Sequence, residues 1–365
     1  MISISLCMIV KNEEDVITRC LDSVKDIVDE IIIVDTGSND STVEKVKQYG
    51  AKVYEFEWVD DFAKARNYSF SKATKDYILW LDADDVMRPD DVEKFKELKS
   101  NLDRSVDSVT MKYILGLDEN NNATSSLRRN RLVKREKNFI WIGKIHEYLN
   151  VYGNIRNCDI SVVHMKNKPH TDRNLKIFKK MIEEKVPFST RDIFYYANEL
   201  YYNDYKEEAS IQYKKFLDTN DGWVEDIKTA CSNLSEYYYS IGDKENELKY
   251  IFKSFEYDVP RSDFCCRLGY KFLNENNINS AIFWYLSAIS NKPSEDNLGL
   301  VSHHTYTWLP LLQLCVCYSK INKFEEANIF NEKAAKYVPD HPSVKHNREF
   351  LKGKLKELEE SNNQN

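Results

Sequence analysis

Three carboxylates, Asp82, Asp84 and Asp85, stand within four positions at the end of the apolar run Tyr77-Ile78-Leu79-Trp80-Leu81. Acids crowded this closely repel one another, and a hard divalent cation shared with substrate phosphates supplies the counter-charge that relieves them. The chemistry suited to this spacing is a metal–diphosphate site. The same residues, with Pro89, Asp90 and Asp91, also suit the cap and first turn of a following helix. A second acidic strand end shifts the balance toward chemistry. The β-branched run Glu30-Ile31-Ile32-Ile33-Val34 closes on Asp35, followed by the small-residue turn Thr36-Gly37-Ser38-Asn39 and a helical pattern through Tyr49.

The elements that must hold these acids are short and alternate in type. The pattern predicts strands over 2–10, 30–35 and 52–56 and a strand ending at Asp82, with helices over 13–25, 39–49 and 62–73 between them. Successive βα units of this kind build a parallel sheet covered by helices, and open α/β sheets take ligands at the carboxyl edge of their strands. No Gly-x-Gly-x-x-Gly or Gly-x-x-x-x-Gly-Lys-Ser/Thr sequence is present, so neither a dinucleotide fingerprint nor a triphosphate loop is available. The basic piece Arg128-Arg129-Asn130-Arg131, with Lys134-Arg135, reads as a solvated loop that could face a diphosphate. Asp159-Ile160-Ser161-Val162-Val163 alternates as a late strand and ends at His164.

A chain of 365 residues suggests two domains, and its 42% hydrophobic content is enough for real cores. The net charge of −7 excludes a nucleic-acid footprint. Eight cysteines without a Cys-x-x-Cys pair point to buried free thiols rather than disulfides or zinc. No apolar run is long enough for a transmembrane segment and the amino terminus has no cleavage pattern, so a cytoplasmic location is expected.

From about residue 175 the pattern becomes helical and repeats itself. The equivalent positions 209, 247, 281 and 327 are 38, 34 and 46 apart, around the 34-residue period of tetratricopeptide repeats. The expected domains are therefore 1–174 and 175–350, with a charged tail over 351–365 that should fray. Stacked helix pairs create a groove that would bind a peptide or protein acceptor or the second subunit of a homodimer. Ser302-His303-His304-Thr305-Tyr306, in the longest spacing, reads as an extended helix rather than a metal site.

Four segments in order, Leu6-Cys7-Met8-Ile9-Val10-Lys11-Asn12-Glu13-Glu14, Ile33 to Thr42, Asp61-Phe62-Ala63-Lys64-Ala65-Arg66-Asn67 and Leu81 to Asp85, resemble the inverting family-2 glycosyltransferases. Trp141-Ile142-Gly143-Lys144-Ile145-His146-Glu147, His164 and the helical tail are similar to the glycocin S-glycosyltransferases within that group. The resemblance covers roughly residues 1–170. It implies a GT-A α/β nucleotide-sugar-binding domain followed by an all-α tetratricopeptide-like repeat domain. It further implies that Asp35 recognises uracil, that Val10, Asn12, Glu13 and Ala83 shape the nucleoside pocket, and that Arg66 contacts the uracil or the diphosphate. Asp82 would lie by the ribose, while Asp84 and, late in the domain, His164 would hold Mn²⁺ or Mg²⁺. Asp85 is either a supporting carboxylate or a helix cap. Arg173 and Asn174 would add a diphosphate contact or begin the next helix.

Inversion needs a base on the face opposite the leaving group. Glu147 is the first candidate, since the flanking Trp141 and Tyr148 would desolvate it and raise its proton affinity; His146 competes. The expected activity is transfer of a hexose or N-acetylhexosamine from a UDP-sugar, UDP-glucose or UDP-N-acetylglucosamine, to a protein or peptide side chain such as that of a bacteriocin. Transfer to a cell-surface saccharide and a non-catalytic repeat scaffold are the alternatives.

Overall fold

The computed structural model describes residues 1–168 and 171–362. The chain divides into two compact units, one holding Met1–Gly222 with Asp296–Gly299, the other Trp223–Glu295 and the chain from Leu300 onward. The change of pattern near residue 175 is thus a change of element type inside the first unit. No helix among the described residues is long and apolar enough to cross a membrane. All eight cysteines are free, and all but Cys158 are buried.

The first unit begins with β1 (Ile4–Val10), α1 (Ile17–Val24), β2 (Glu30–Asp35), α2 (Thr42–Lys47), β3 (Lys52–Glu55), α3 (Phe62–Ser71) and β4 (Tyr77–Trp80). These follow the expected alternation, with α1 and α2 shorter at both ends and α3 at its carboxyl end. Helix α1 shows why: its apolar residues Ile17, Cys20, Leu21 and Val24 fall on one face and are all buried, whereas Lys11 to Glu14 belong to the turn before it. Next come β5 (Asp85–Met87), α4 (Pro89–Asn101), β6 (Ser108–Leu117), β7 (Ala123–Lys134), the short pair β8 (Trp141–Ile142) and β9 (Tyr148–Leu149), and β10 (Ile155–His164). Helices α5 (Arg173–Glu183), α6 (Thr190–Tyr202) and α7 (Lys206–Asp218) complete it.

The main sheet runs in the order β3-β2-β1-β4-β7-β6-β10-β5. Strands β3, β2, β1 and β4 are parallel, as the βα pattern requires. The other half corrects the expectation of a parallel sheet: β7 is antiparallel to both β4 and β6, and β5 is antiparallel to β10. The cause is a hairpin, since β6 and β7 are joined by a turn at Glu119–Asn122 too short for a helical crossover. Arg128 to Arg131 is also corrected. It lies within β7, with Arg128 and Arg131 buried, because each cation finds an internal partner that sequence alone does not display.

One buried carboxylate ties three strands together. Glu30, at the start of β2, accepts hydrogen bonds from Ser5 Oγ (2.6 Å), Lys52 Nζ (2.7 Å), Thr74 N (3.0 Å) and Thr74 Oγ1 (3.0 Å). Burial by itself would raise its pKa; the bonds from Lys52, Ser5 and Thr74 reverse this and carry it from 4.5 down to about 2. A depressed acid stabilises the fold fully above its unfolded pKa and loses that contribution as pH falls through the folded one. Acid unfolding of the wild type should therefore include a step between pH 4.5 and about 2 that is missing in Glu30→Gln. At pH 7 that variant should be about 2 kcal/mol less stable by urea titration.

The second unit is all helical: α8 (Val224–Ser240), α9 (Lys244–Ser254), α10 (Ser262–Asn274), α11 (Ile278–Ser290), α12 (Trp308–Lys320), α13 (Phe324–Ala335) and α14 (Pro342–Asn362). Helices pair as α8 with α9, α10 with α11 and α12 with α13, the same hairpin as α6 with α7 in the first unit. The repeat positions Ala209, Glu247, Ala281 and Ala327 are buried in the second helix of each pair. His303–Tyr306 forms a short 3₁₀ turn before α12 instead of the expected extension of that helix. Helix α14 continues through Asn362 where the tail was expected to fray, and residues 363–365 lie outside the described residues.

At Gly269 of α10 a Cβ would come within 2.7 Å of the Tyr285 ring of α11. This close approach requires glycine. Gly269→Ala should cost about 1–3 kcal/mol through overpacking, read as a lowered thermal midpoint.

Candidate active site

The parallel half of the sheet delivers its polar residues to one edge. Val10 is the register partner of Asp35, so the turns after β1 and β2 lie side by side. Asp35 accepts from the backbone N–H groups of Gly37 (3.1 Å) and Ser38 (3.0 Å). Asn12, in the left-handed region at φ 54°, donates its N–H to Ser38 Oγ (2.9 Å) and accepts at its side chain from Asn39 N (2.8 Å). Glu13 donates its N–H to Thr42 Oγ1 (2.7 Å) and pairs with Lys168 Nζ (2.8 Å); burial raises its pKa. These contacts fix both turns as one rigid wall.

Helix α3 supplies the next component. Asp61 caps it by accepting from Lys64 N at 3.0 Å. One turn on, Arg66 points into the site. Asn67 holds the facing segment by donating to Trp141 O (3.0 Å) and accepting from Trp141 N (2.8 Å). That segment turns at Gly143 (φ 101°) and His146 (φ 49°), which brings Glu147 to Arg66. Arg66 donates from Nε to Glu147 Oε1 at 2.5 Å and from Nη2 to Asp82 Oδ1 at 2.7 Å. Its guanidinium also lies 5.0 Å from the Trp80 ring centre and 4.8 Å from that of Trp141. Arg66 was expected to meet the nucleotide; in the fold it bridges two carboxylates. Burial would raise the Asp82 pKa, but the charges of Arg66 and Arg131 outweigh it and hold the acid at about 2.

The other acids meet His164 through sheet register. Antiparallel pairing of β5 with β10 sets His164 opposite Asp85, 79 positions away in sequence. His164 Nδ1 is 3.3 Å from Asp84 Oδ1, 3.6 Å from Asp85 Oδ1 and 2.9 Å from the Tyr113 hydroxyl. The neighbouring carboxylates of Asp84 and Asp85 raise the His164 pKa to about 10. One ligand atom from each of Asp84, Asp85 and His164 lies within 4.8 Å of the others. Asp85 Oδ1 is buried without a hydrogen bond. Two carboxylates and an imidazole at this separation fit a divalent cation, and the nitrogen ligand suits Mn²⁺ better than Mg²⁺. Asp85 thus belongs to the cluster and not to the cap of α4.

Beneath the cluster lies a residue expected in a solvated loop. Arg131 is fully buried between Trp80 (4.0 Å) and Tyr113 (4.3 Å), with Nη2 3.0 Å from Asp85 Oδ2. The β6–β7 register slips by one residue there, and the bulge re-aims its side chain. No local pattern marked it as buried, because the bulge breaks the strand's alternation at this position.

A cavity of about 290 Å³ opens beside Asp82, Arg66 and Glu147. Its wall includes Trp141, His146, Arg129 and Arg173, the last at the first turn of α5 with its guanidinium over Phe62. Helix α6, read from sequence only as a repeat helix, adds Arg191 and Tyr195 to the wall and Glu199 behind His146. Ala83 is buried in the turn between Asp82 and Asp84.

Residues 5–158, which carry Asp35, Asp82, Asp84, Asp85 and Glu147, match the family described as Glycosyl transferase family 2. This stretch of the first unit is similar to the family-2 glycosyltransferases. The matched residues run from β1 into β10 of the mixed sheet, and the helices α5 to α7 follow. Over 258 residues the chain is 32% identical to the SPbeta prophage-derived glycosyltransferase SunS of Bacillus subtilis (strain 168), covering 64% of this chain and 58% of that protein. Over 104 residues it is 48% identical to a TPR repeat-containing protein of Synechococcus elongatus, covering 28% and 25%. The chain therefore spans between a quarter and 58% of the length of these relatives. Among solved structures, Staphylococcus aureus TarS in complex with UDP is similar at 14% identity and a TM-score of 0.38, over 68% of this chain and 90% of that one. The family match ends at residue 158, before His164, Arg173 and Glu199.

Proposed function

We propose that the chain is a metal-dependent, inverting glycosyltransferase moving a hexose or N-acetylhexosamine from a UDP-sugar to a protein or peptide side chain in the cytoplasm. The supporting observation is the Asp84–Asp85–His164 cluster beside a cavity that already holds Asp82, Arg66 and Glu147. Asp84 and His164 would hold the cation, with Asp85 as a further carboxylate of the cluster. When bound, Mn²⁺ or Mg²⁺ neutralises the charge that grows on the departing diphosphate.

The chain's own residues do the rest. Asp35, Val10, Asn12, Glu13 and Ala83 receive the uridine along the rigid wall of the first two turns. Asp82, kept ionised by Arg66, accepts from the ribose hydroxyls. Arg173 faces the diphosphate, and Trp141 provides an apolar wall for the sugar. Glu147 or His146 takes the acceptor's proton. A peptide or protein acceptor accords with the helical repeats and with the resemblance of the His146-Glu147 segment to peptide-modifying enzymes. Incubation with Mn²⁺ and UDP-glucose or UDP-N-acetylglucosamine should release UDP, and intact-mass analysis of candidate peptides should show one added sugar. Absence of UDP from both donors refutes the proposal.

A further inference from the structure

His146 and Glu147 are neighbours in sequence with opposite surroundings. Glu147 is engaged by Arg66 at 2.5 Å, and Arg66 is itself shared with Asp82. Protonating Glu147 would strip Arg66 of one of its two counter-charges in a buried setting, which is costly. The charge of Glu147 is therefore already in use.

His146 is arranged differently. Its Nε2 is 2.7 Å from Glu199 Oε1, and the Glu199 side chain is only 2% exposed. Asn174 Nδ2 donates to the same oxygen at 3.0 Å, which fixes the carboxylate. The imidazole stacks on Tyr195 with ring centres 4.2 Å apart, and Arg191 donates to the His146 carbonyl at 3.1 Å. An imidazole whose Nε2–H points at a buried carboxylate is held as the tautomer with a lone pair on Nδ1. Nδ1 makes no hydrogen bond among the described residues, and His146 lines the cavity.

We infer that Glu199, on helix α6 beyond the span matched to the family, is a positioning residue that makes His146 the proton acceptor, leaving Glu147 to hold Arg66. This rests on the transferase reading above. In the step, the acceptor's heteroatom bonds to the anomeric carbon, its proton passes to His146 Nδ1, and the bond to UDP breaks with its electron pair leaving on the diphosphate. Glu199 stabilises the imidazolium so formed.

The test is steady-state UDP release by the full chain with Mn²⁺ and UDP-glucose or UDP-N-acetylglucosamine. Glu199→Gln should lower kcat by about 10- to 100-fold while the donor KM stays within about twofold. Glu199→Asp, which keeps the charge, should recover part of the loss. His146→Gly, which leaves Glu199 intact should that site tolerate no change, should regain activity with added imidazole. Wild-type kcat in Glu199→Gln, or no imidazole rescue of His146→Gly, overturns the inference. If that happens while UDP release remains metal-dependent and sensitive to Asp84→Ala, only the positioning role falls. If the wild type releases no UDP, the transferase reading falls and takes this one with it.

Discussion

Asp84→Ala should lower manganese-dependent UDP release by on the order of a thousandfold, because it removes the partly exposed carboxylate of the Asp84–Asp85–His164 cluster. Stability should change little, since the Asp84 side chain is 22% exposed and packs no core. The loss should appear together with weakened Mn²⁺ binding, measured by the paramagnetic resonance of free manganese. Asp85→Asn behaves otherwise. It withdraws the charge facing the buried Arg131, so it should lose stability as well as metal. Wild-type UDP release in Asp84→Ala would place the metal elsewhere.

Arg66→Met should cost about 3 kcal/mol of stability and abolish activity. The substitution leaves Glu147 buried and Asp82 partly buried with no shared cation, and two facing carboxylates then repel each other. Arg66→Lys should restore only part of the stability. A point charge cannot donate to Asp82 and Glu147 from two fixed directions while stacking on Trp80 and Trp141. Urea titration of the three proteins measures this, and a loss below 1 kcal/mol in Arg66→Met would show that the bridge matters little.

Much of the site was readable before folding. Asp35 and Asp82 follow buried β-branched or aromatic runs, so their place at a strand's carboxyl edge follows from local pattern alone. Asp84 was legible for the same reason. His164 could be found only by likeness to other proteins, because a histidine at a strand end has no periodic signature. Arg131 was misread as a loop residue, for burial of a cation depends on partners, here Asp85, Trp80 and Tyr113, drawn from three other places in the chain. Glu199 was assigned to the repeats, and its helical pattern gave no hint of a second role.

The amino-acid sequence by itself determined the βα alternation, the acids at the edge of the parallel strands and the helical repeats, since periodicity and turn chemistry act over a few neighbouring residues. Only the tertiary structure decided which distant charges meet. The β5–β10 register set His164 against Asp85, the bulge in β7 turned Arg131 beneath them, and helix α6 carried Glu199 to His146. Such pairings are governed by desolvation and Coulomb energy, which depend on separation in space and leave no trace in local pattern.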